Sequence, residues 1–434
     1  MKLIASLNLP AHSDSVSIVT SFVEKAALAG GLPEAESLSL TLASEEVFSY
    51  LCRVIPDDLL EIRYSRGSYY GQVAFRFPSH KIDWRAFNLT TKVSWEDEAS
   101  LEELGLLIAS RSTDRLLIRE EKGKIVNLTL TKEKSYPTPA MEPLDRGRPL
   151  PEFSIQVPCN EELKFFFRRV NACYSVQEIP NALRMPGRLV DLAAEDEYQV
   201  LMAMGPGGQI GGGIAWHWMG TKNVECFGPY LLDQSPDSPM AAALLDACLG
   251  AIGRTPAVCL INRYPTRDLP VSYFESLGSL TLFSREGPSH PIQAYFRQMQ
   301  EDPGSSVWSH PDLEPFLRRE FRRLVLPREI LVVRDQGEER NPSSVLAVEF
   351  DRPQGQAILR PVWSGADIAE NLSNHLRLLR REGWLNLVFI MDLAQSWQAD
   401  FTPALLKNGL SPRLIVPYGG EGDLVLFQAG EVLT

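Results

Sequence analysis

The sequence predicts a multidomain chain of mixed α/β and α+β class, and three observations predict it. At 434 residues the chain exceeds what one compact core serves and suggests two to four domains of roughly 100–200 residues each. Residues 131–153 hold Pro137, Pro139, Pro143, Pro149 and Pro151 among charged side chains, a composition that disfavours helix and sheet and reads as a semi-rigid linker. Beyond that break, one order of strands and helices occurs twice. The expected division is 1–135, a proline-rich linker at 136–151, then 152–285 and 286–434.

The first segment opens with a strand, LIASLNLPA, followed by a helix from Asp14 or Ser15 to Ala29 that Gly30-Gly31 ends. A second helix runs from about Glu34 to Arg53, with Leu40, Val47, Leu51 and Val54 facing the core. A strand follows at 71–77. In the next segment, apolar runs at Tyr198–Met204, Gly213–Trp218 and Val224–Leu232 joined by glycine-rich turns read as a strand meander. A helix Met240–Ile252, a buried strand Ala257–Asn262, a short helix ending at Gly278 and a strand Ser279–Phe283 complete it. A connecting stretch, 284–312, holds a short helical piece around Ile292–Met299.

The last segment repeats the order. Strands at Glu329–Arg334, Ser344–Phe350 and Gln356–Trp363 lead to a helix Asp367–Arg381, a strand Leu385–Asp392, a short helix ending at Gly409, and strands Arg413–Pro417 and Asp423–Gln428. The interval from the end of the buried strand to the stopping glycine is 16 residues in one copy (262 to 278) and 17 in the other (392 to 409), which reads as an internal duplication.

Composition narrows the function. Hydrophobic residues are 44% and charged residues 23%, and 43 Lys and Arg face 55 Asp and Glu for a net charge of −12. A chain of that sign repels a phosphate backbone, so nucleic acid and anionic membranes are excluded as first partners. Six cysteines are scattered without a C-x-x-C pair and are expected to be reduced and mostly buried. The opening residues lack a long apolar run, and no stretch approaches the ~18 apolar residues of a span. The cytoplasm is the expected location. The histidines are too dispersed for a metal site.

The phrases LNLPAHSDSVSIVTSFVEKAALAGGLP, LSLTLASEEVFSYLCRV and LEELGLLIASRSTDRLLIREEKGKIVNLTLTK resemble the anti-sigma-factor type of histidine-kinase-like ATPase domain, an α/β sandwich whose second helix carries a Glu-Glu-x-x-x-Asn motif. The resemblance implies that the helix Asn binds Mg²⁺ and that an Asp in an Asp-x-Gly turn binds adenine. Here the Asn position is Tyr50, and Arg76 and Phe77 stand where the Asp and the glycine are expected. The lid has shrunk to residues 83–100. Tyr50 cannot supply the carbonyl oxygen a hard cation prefers, so the sequence argues against ATP and Mg²⁺. Glu46, beside Glu45, is the candidate general base of such a site, and a solvated helix pair is its plainer role.

The segment FGPYLLDQSPDSPMAAALLDACLGAIGRTPAVCLINRYPTRDLPVSYFESLGSLTLF resembles the core of the GNAT acyltransferase superfamily, and with the duplicate the resemblance implies two mixed-sheet GNAT-like units in tandem. The family holds acyl-CoA at a splay between its fourth and fifth strands, with the pyrophosphate at the start of the next helix, an anion site of the usual helix N-terminal kind. On that alignment the cofactor-contacting candidates are Gln234, Ser235, Ser238, Met240, Ala241 and Asn262. Asp233, Asp237, Pro236 and Pro239 depart from the family's loop. The second copy keeps Gly365, followed by Asp367 at a helix-cap position. Tyr273, one residue off the family's usual place, is the candidate general acid, and packing under the sheet is its plainer role. In Trp216-His217-Trp218, strand alternation puts both Trp rings on one face and His217 on the other. Arg318, Arg319, Arg322 and Arg323 form a basic helix face, read with Glu314 and Glu320 as salt-bridged.

Two functions follow as expectations. One is a regulatory or signalling protein whose kinase-like domain has lost ATP binding and whose tandem GNAT-like module holds a small ligand or a protein partner. The alternative is an acyl-CoA-dependent N-acyltransferase, with acetyl-CoA or another acyl-CoA as cofactor and an acyl acceptor as substrate, regulated by its N-terminal domain.

Overall fold

The computed structural model describes residues 2–78, 83–91, 98–121, 125–137, 149–235, 238–284, 287–334, 337 and 340–430. The chain forms two compact units. The first comprises Met1–Ser135 with Gly337–Val348 and Arg360–Leu378, and the second comprises Tyr136–Gln336 with Glu349–Leu359 and Leu379–Thr434.

In the first unit, β1 (Lys2–Pro10) leads to α1 (Val16–Ala29), α2 (Glu34–Val54), β2 (Leu59–Arg66), β3 (Tyr70–Pro78), α3 (Glu98–Ser112), β4 (Arg115–Glu121) and β5 (Ile125–Glu133). The sheet order is β1-β2-β3-β5-β4, antiparallel throughout. Alternation along β3 buries Val73, Phe75 and Phe77 in one core with Val19, Val23, Leu40, Val47 and Leu51 of α1 and α2. The helix pair turns at Gly31, whose φ of +83° suits glycine. Residues from 337–348 and 360–378 join this unit through Asn88. Its amide donates to Ser344 O (2.8 Å), while its Oδ1 accepts from Leu346 N (3.0 Å) and from the Asn371 amide (3.2 Å).

The second unit begins with β6 (Ser154–Gln156), α4 (Asn160–Cys173), α5 (Pro186–Ala194), β7 (Tyr198–Met204), β8 (Ile210–Trp218), β9 (Asn223–Leu231), α6 (Met240–Ile252), β10 (Cys259–Asn262), β11 (Glu275–Leu282) and β12 (His290–Gln298). These strands make one seven-stranded sheet, β6-β7-β8-β9-β10-β12-β11, in which β9 and β10 run parallel. The meander and α6 appear where alternation and apolar spacing put them.

Two expectations fail. Ile292–Met299 is not helical: β12 buries Ala294 and Phe296 on alternate positions, and that period of two outweighs the helix-forming composition. No helix ends at Gly278 either. Pro265 and Pro270 limit the segment to a single 3-10 turn at Val271–Tyr273, and Gly278 sits inside β11 at a register shift, with φ +134°.

The chain continues with β13 (Ser305–Ser309), α7 (Glu314–Arg323), β14 (Arg328–Val332), β15 (Val345–Asp351), β16 (Gln356–Trp363), α8 (Ile368–Arg381), β17 (Asn386–Asp392), α9 (Thr402–Lys407), β18 (Leu410–Val416) and β19 (Leu424–Ala429). β13 and β14 pair parallel, and the remaining strands order as β15-β16-β17-β19-β18, with β16 and β17 parallel. The run β9-β10-β12-β11 thus has the same order as β16-β17-β19-β18. In each, a helix connects the parallel pair and a closing hairpin follows.

Candidate functional site

The site grows from a divergence between β9 and β10. β10 is four residues long and pairs with β9 only over Asn223–Glu225. A register shift against β8 falls where β9 passes Gly228, at φ +91°, so Cys226–Leu231 runs on without a parallel neighbour. Such a gap leaves strand carbonyls and N–H groups in need of partners.

The chain's own side chains supply them. Asn262, fully buried, donates to Gly228 O (3.2 Å) and accepts from Tyr264 N (3.0 Å). The Thr266 hydroxyl donates to Pro229 O (2.8 Å). The Tyr174 hydroxyl accepts from Leu231 N and donates to Asp268. Burial, and then Asp268, push the Tyr174 pKa up. The Arg267 guanidinium lies 4.9 Å from the centre of the Tyr174 ring. Residues 263–270 therefore lie along the gap and tie it shut.

On the sheet face away from α6, Glu225 is 2% exposed. It accepts from Arg263 Nε (2.6 Å) and Nη2 (2.8 Å) and meets His217 Nε2 at 3.3 Å. His217 stacks on Tyr198, with centroids 4.8 Å apart and planes 4° apart. As alternation requires, Trp216 and Trp218 turn to the opposite face, against the α6 core. Burial alone would raise the Glu225 pKa, but the Arg263 charge and the hydrogen bonds from His217 and Arg263 outweigh it and hold the carboxyl at about 2. A carboxylate of such low proton affinity is a poor general base at neutral pH. Sequence reading missed this cluster, since a lone Glu in an apolar strand gives no sign of the arginine 38 positions later.

The sequence candidates lie as follows. The Gln234 amide accepts from Leu150 N (3.0 Å) and donates to Leu232 O (2.8 Å), bracing the start of the unit against the end of β9. Ser235 is exposed, Ser238 Oγ accepts from Met240 N (3.3 Å), and Pro236 and Asp237 lie outside the described residues. Met240 is buried beside Gly211 and Gly212 of β8, and Ala241 is half-buried in the first turn of α6. Asp233 forms an ion pair with Arg169, which cancels the repulsion its charge suggests. The Tyr273 hydroxyl bonds Asp246 on α6, which together with burial raises its pKa, and Arg297 donates to its carbonyl (2.8 Å). Asn262 thus meets β9, whereas Tyr273 meets the middle of α6. Asp367 Oδ1 accepts from Ser344 N (2.6 Å).

In the first unit, Glu46 is half-buried against Gly105 of α3, and burial and Glu45 raise its pKa. The Tyr50 hydroxyl donates to Asp83 O (3.1 Å). Arg76 lies on the outer sheet face with Glu121 at 3.1 Å, whereas Phe77 turns inward to Trp84 (6.3 Å between centroids), which meets Phe87 (5.9 Å). Residues 92–97 of the lid, and 138–148 of the linker, lie outside the described residues.

Among the solved structures to which about a third of the chain is similar are three acetyltransferases. An N-acetyltransferase from Staphylococcus aureus Mu50 is 12% identical over 34% of this chain and 99% of that chain, with a TM-score of 0.29. A GNAT superfamily phosphinothricin acetyltransferase from Sinorhizobium meliloti, in complex with AcCoA, is 15% identical over 34% of this chain and 88% of its own, with a TM-score of 0.28. An aminoglycoside 6'-N-acetyltransferase complexed with coenzyme A is 12% identical over 35% and 99%, with a TM-score of 0.27. No protein-family model matches the sequence, and no curated protein is detectably similar to it.

Among the described residues, no group of three or more His, Cys, Asp or Glu could hold a metal ion, and no helix is long and apolar enough to cross a membrane. Cys226, Cys248 and Cys259 are buried and their thiol pKa values pushed up by burial, Cys226 to about 12. Cys52 is half-buried, and Cys159 and Cys173 are exposed, fewer buried thiols than the sequence suggests.

Proposed function

We propose that this chain is a regulatory protein: a histidine-kinase-like ATPase domain of the anti-sigma-factor type that holds no nucleotide, fused to tandem GNAT-like units that bind a small ligand or a protein partner and do not transfer acyl groups. One observation carries the reading. The backbone groups of β9 that face the gap, Gly228 O, Pro229 O and Leu231 N, are engaged by Asn262, Thr266 and Tyr174. An acyl-CoA entering there would have to break these bonds, leaving buried polar groups unpaired at about 1–3 kcal/mol each.

Three features support it further. Glu225 is held ionised by Arg263 and is poorly placed in proton affinity to take a proton from an acceptor amine. The order β16-β17-β19-β18 repeats β9-β10-β12-β11, as a duplication requires. In the first unit, Phe77, Trp84 and Phe87 are buried beside α2, and Tyr50 has its hydroxyl on a backbone carbonyl. With a net charge of −12, the partner is a protein or small molecule rather than nucleic acid.

Thermal melting of the full chain with acetyl-CoA, a longer acyl-CoA and Mg-ATP tests this. A ligand at 100 times its Kd stabilises by about 2.7 kcal/mol, and no shift is expected from any of the three. A shift with acetyl-CoA would overturn the closed gap. A shift with Mg-ATP that Glu46→Ala removes would overturn the nucleotide-free reading.

A further inference from the structure

Between the β11–β12 hairpin and the strands β16, β17, β18 and β19 lies a cavity of about 60 Å³, all of whose lining belongs to the second unit. At roughly 10–15 Å³ for each water-sized group, it takes four to six such groups. Its walls are mostly aliphatic, with Leu282 and Ile292 on one side and Ile358 and Ile390 on the other. Polar side chains also line it, among them Arg263, Tyr264 and Gln356. Two of the arginine's nitrogens, Nε and Nη2, are on Glu225. Among the described residues, Arg263 Nη1, the Tyr264 hydroxyl and the Gln356 side-chain amide have no hydrogen-bond partner. By contrast, other amides of the lining have partners: Gln428 is fully occupied by the backbone of Thr281, Gln177 Oε1 meets His290 Nε2 (2.8 Å), and Gln354 Nε2 donates to Val176 O (3.1 Å).

Unsatisfied polar groups beside an apolar cavity are the usual signature of a ligand site. All three here can donate a hydrogen bond, and one carries a positive charge. The head group that answers them is one that only accepts and presents two oxygens, and the remaining walls call for a short aliphatic body.

We propose that this cavity binds a short aliphatic carboxylate of about four to six non-hydrogen atoms, its carboxylate on Arg263, Tyr264 and Gln356 and its alkyl chain against Ile292, Ile358 and Ile390. The proposal names a ligand for the regulatory reading above and rests on that reading for its purpose. His217 is the second partner of Glu225, so a ligand that draws on Arg263 leaves Glu225 with a hydrogen-bonding neighbour.

Calorimetric titration of the full chain with isobutyrate tests it, with isobutyramide and acetyl-CoA as parallel titrants. Isobutyrate is expected to bind, and Tyr264→Phe and Gln356→Leu, each of which removes one donor and keeps an apolar surface, are each expected to weaken it about ten- to hundredfold. Ala294→Leu, which fills the cavity from β12, is expected to abolish binding while the chain still melts cooperatively. Should that variant fail to fold, the two donor variants carry the test. Absence of isobutyrate binding at about 20 mM, equal affinity in both donor variants and the native chain, or equal affinity for isobutyramide would each overturn the assignment. Heat on adding acetyl-CoA would overturn the regulatory reading and not this one, so the two failures are distinguishable.

Discussion

Replacing Glu225 by Gln keeps the shape of the side chain and removes its charge. The carboxyl is held at about 2 against 4.5 in the free residue. At 1.36 kcal/mol per pH unit, the gap corresponds to about 3 kcal/mol of stability at neutral pH. A folded-state pKa below the unfolded value means this contribution is complete above pH 4.5 and is lost as pH falls towards 2. By pH 3.5 it has dropped to about 2 kcal/mol. Burial of Arg263 without its counter-charge acts in the same direction, and buried ion pairs broken from one side typically lose about 3–5 kcal/mol. For a folding unit of this size the expected fall in melting temperature is roughly 6–12 °C at pH 7. Calorimetric scans of the native chain and the variant from pH 7 to 3.5 give the measurement, with the difference between them narrowing towards acid. A variant that melts within 2 °C of the native chain at pH 7 (about 1 kcal/mol or less), or a difference that does not change with pH, would refute the role assigned to the Arg263–Glu225 pair.

Thr266→Val leaves the Pro229 carbonyl unpaired in the gap and is expected to destabilise the second unit by about 1–3 kcal/mol, read as a shift in the urea midpoint; no shift would mean that water replaces the hydroxyl. Arg328 is fully buried between Asp302 (2.8 Å) and Asp423 (2.7 Å), so Arg328→Met strands two carboxylates and should lower stability by about 3–5 kcal/mol, which thermal melting would register. A Cβ at Gly365 would meet the backbone of Ser343 and Ser344; Gly365→Ala is therefore expected to loosen the first unit, by about 1–3 kcal/mol, seen as faster amide exchange around Asn88 and Asn371. Burial lowers the His375 pKa to about 4 from 6.5, so the unfolded chain binds the proton more readily and about 3 kcal/mol of first-unit stability is lost between pH 6.5 and 4. His375→Leu should flatten that acid limb, and an unchanged limb would show that another group titrates there.

Periodicity made most of the elements legible. The strand over Gln356–Trp363 and the helix over Met240–Ile252 coincide with what alternation and apolar spacing predict, because in both the buried face is set by neighbours in sequence. β12 was not legible, since its pattern Ile292, Ala294, Phe296 is interrupted by helix-favouring Gln293 and Arg297 and acquires meaning only beside β10 and β11. The site divided along the same line. Asn262 stands out as a polar residue ending an apolar strand, and the structure finds it buried and bonded to β9. Glu225, Thr266 and Tyr174 do not stand out, because what makes each matter is a partner 37 to 57 residues away. The joining of Ser344, Leu346 and Asn371 to Asn88 is more distant still, at more than 250 residues for each, and no local pattern encodes it.

The same long-range logic explains how two similar sheets meet without merging. β11 is the last strand of the seven-stranded sheet, and an open edge of that kind invites another strand. Here two side-chain amides take the place of one. The Gln428 Oε1 accepts from Thr281 N (2.8 Å) and its Nε2 donates to Thr281 O (2.5 Å), while Asn386 Oδ1 accepts from Phe283 N (2.8 Å) and its Nδ2 donates to Phe283 O (3.1 Å). Each amide imitates the paired donor and acceptor of a strand residue, so the edge is satisfied at two alternate positions without a sixth strand being added beside β18. Gln428 belongs to β19 and Asn386 to β17, while at Gly278 the same edge comes against the backbone of Arg413 and Leu414 in β18, so β11 meets three strands in turn along its length. The cavity that Arg263, Tyr264 and Gln356 line also has Thr281 and Gln428 in its wall, so one of the two bridges borders it. Shortening one bridge, by Gln428→Asn, should therefore change the cavity as well as the edge, and its effect on isobutyrate binding links the architecture of the repeat to its proposed ligand.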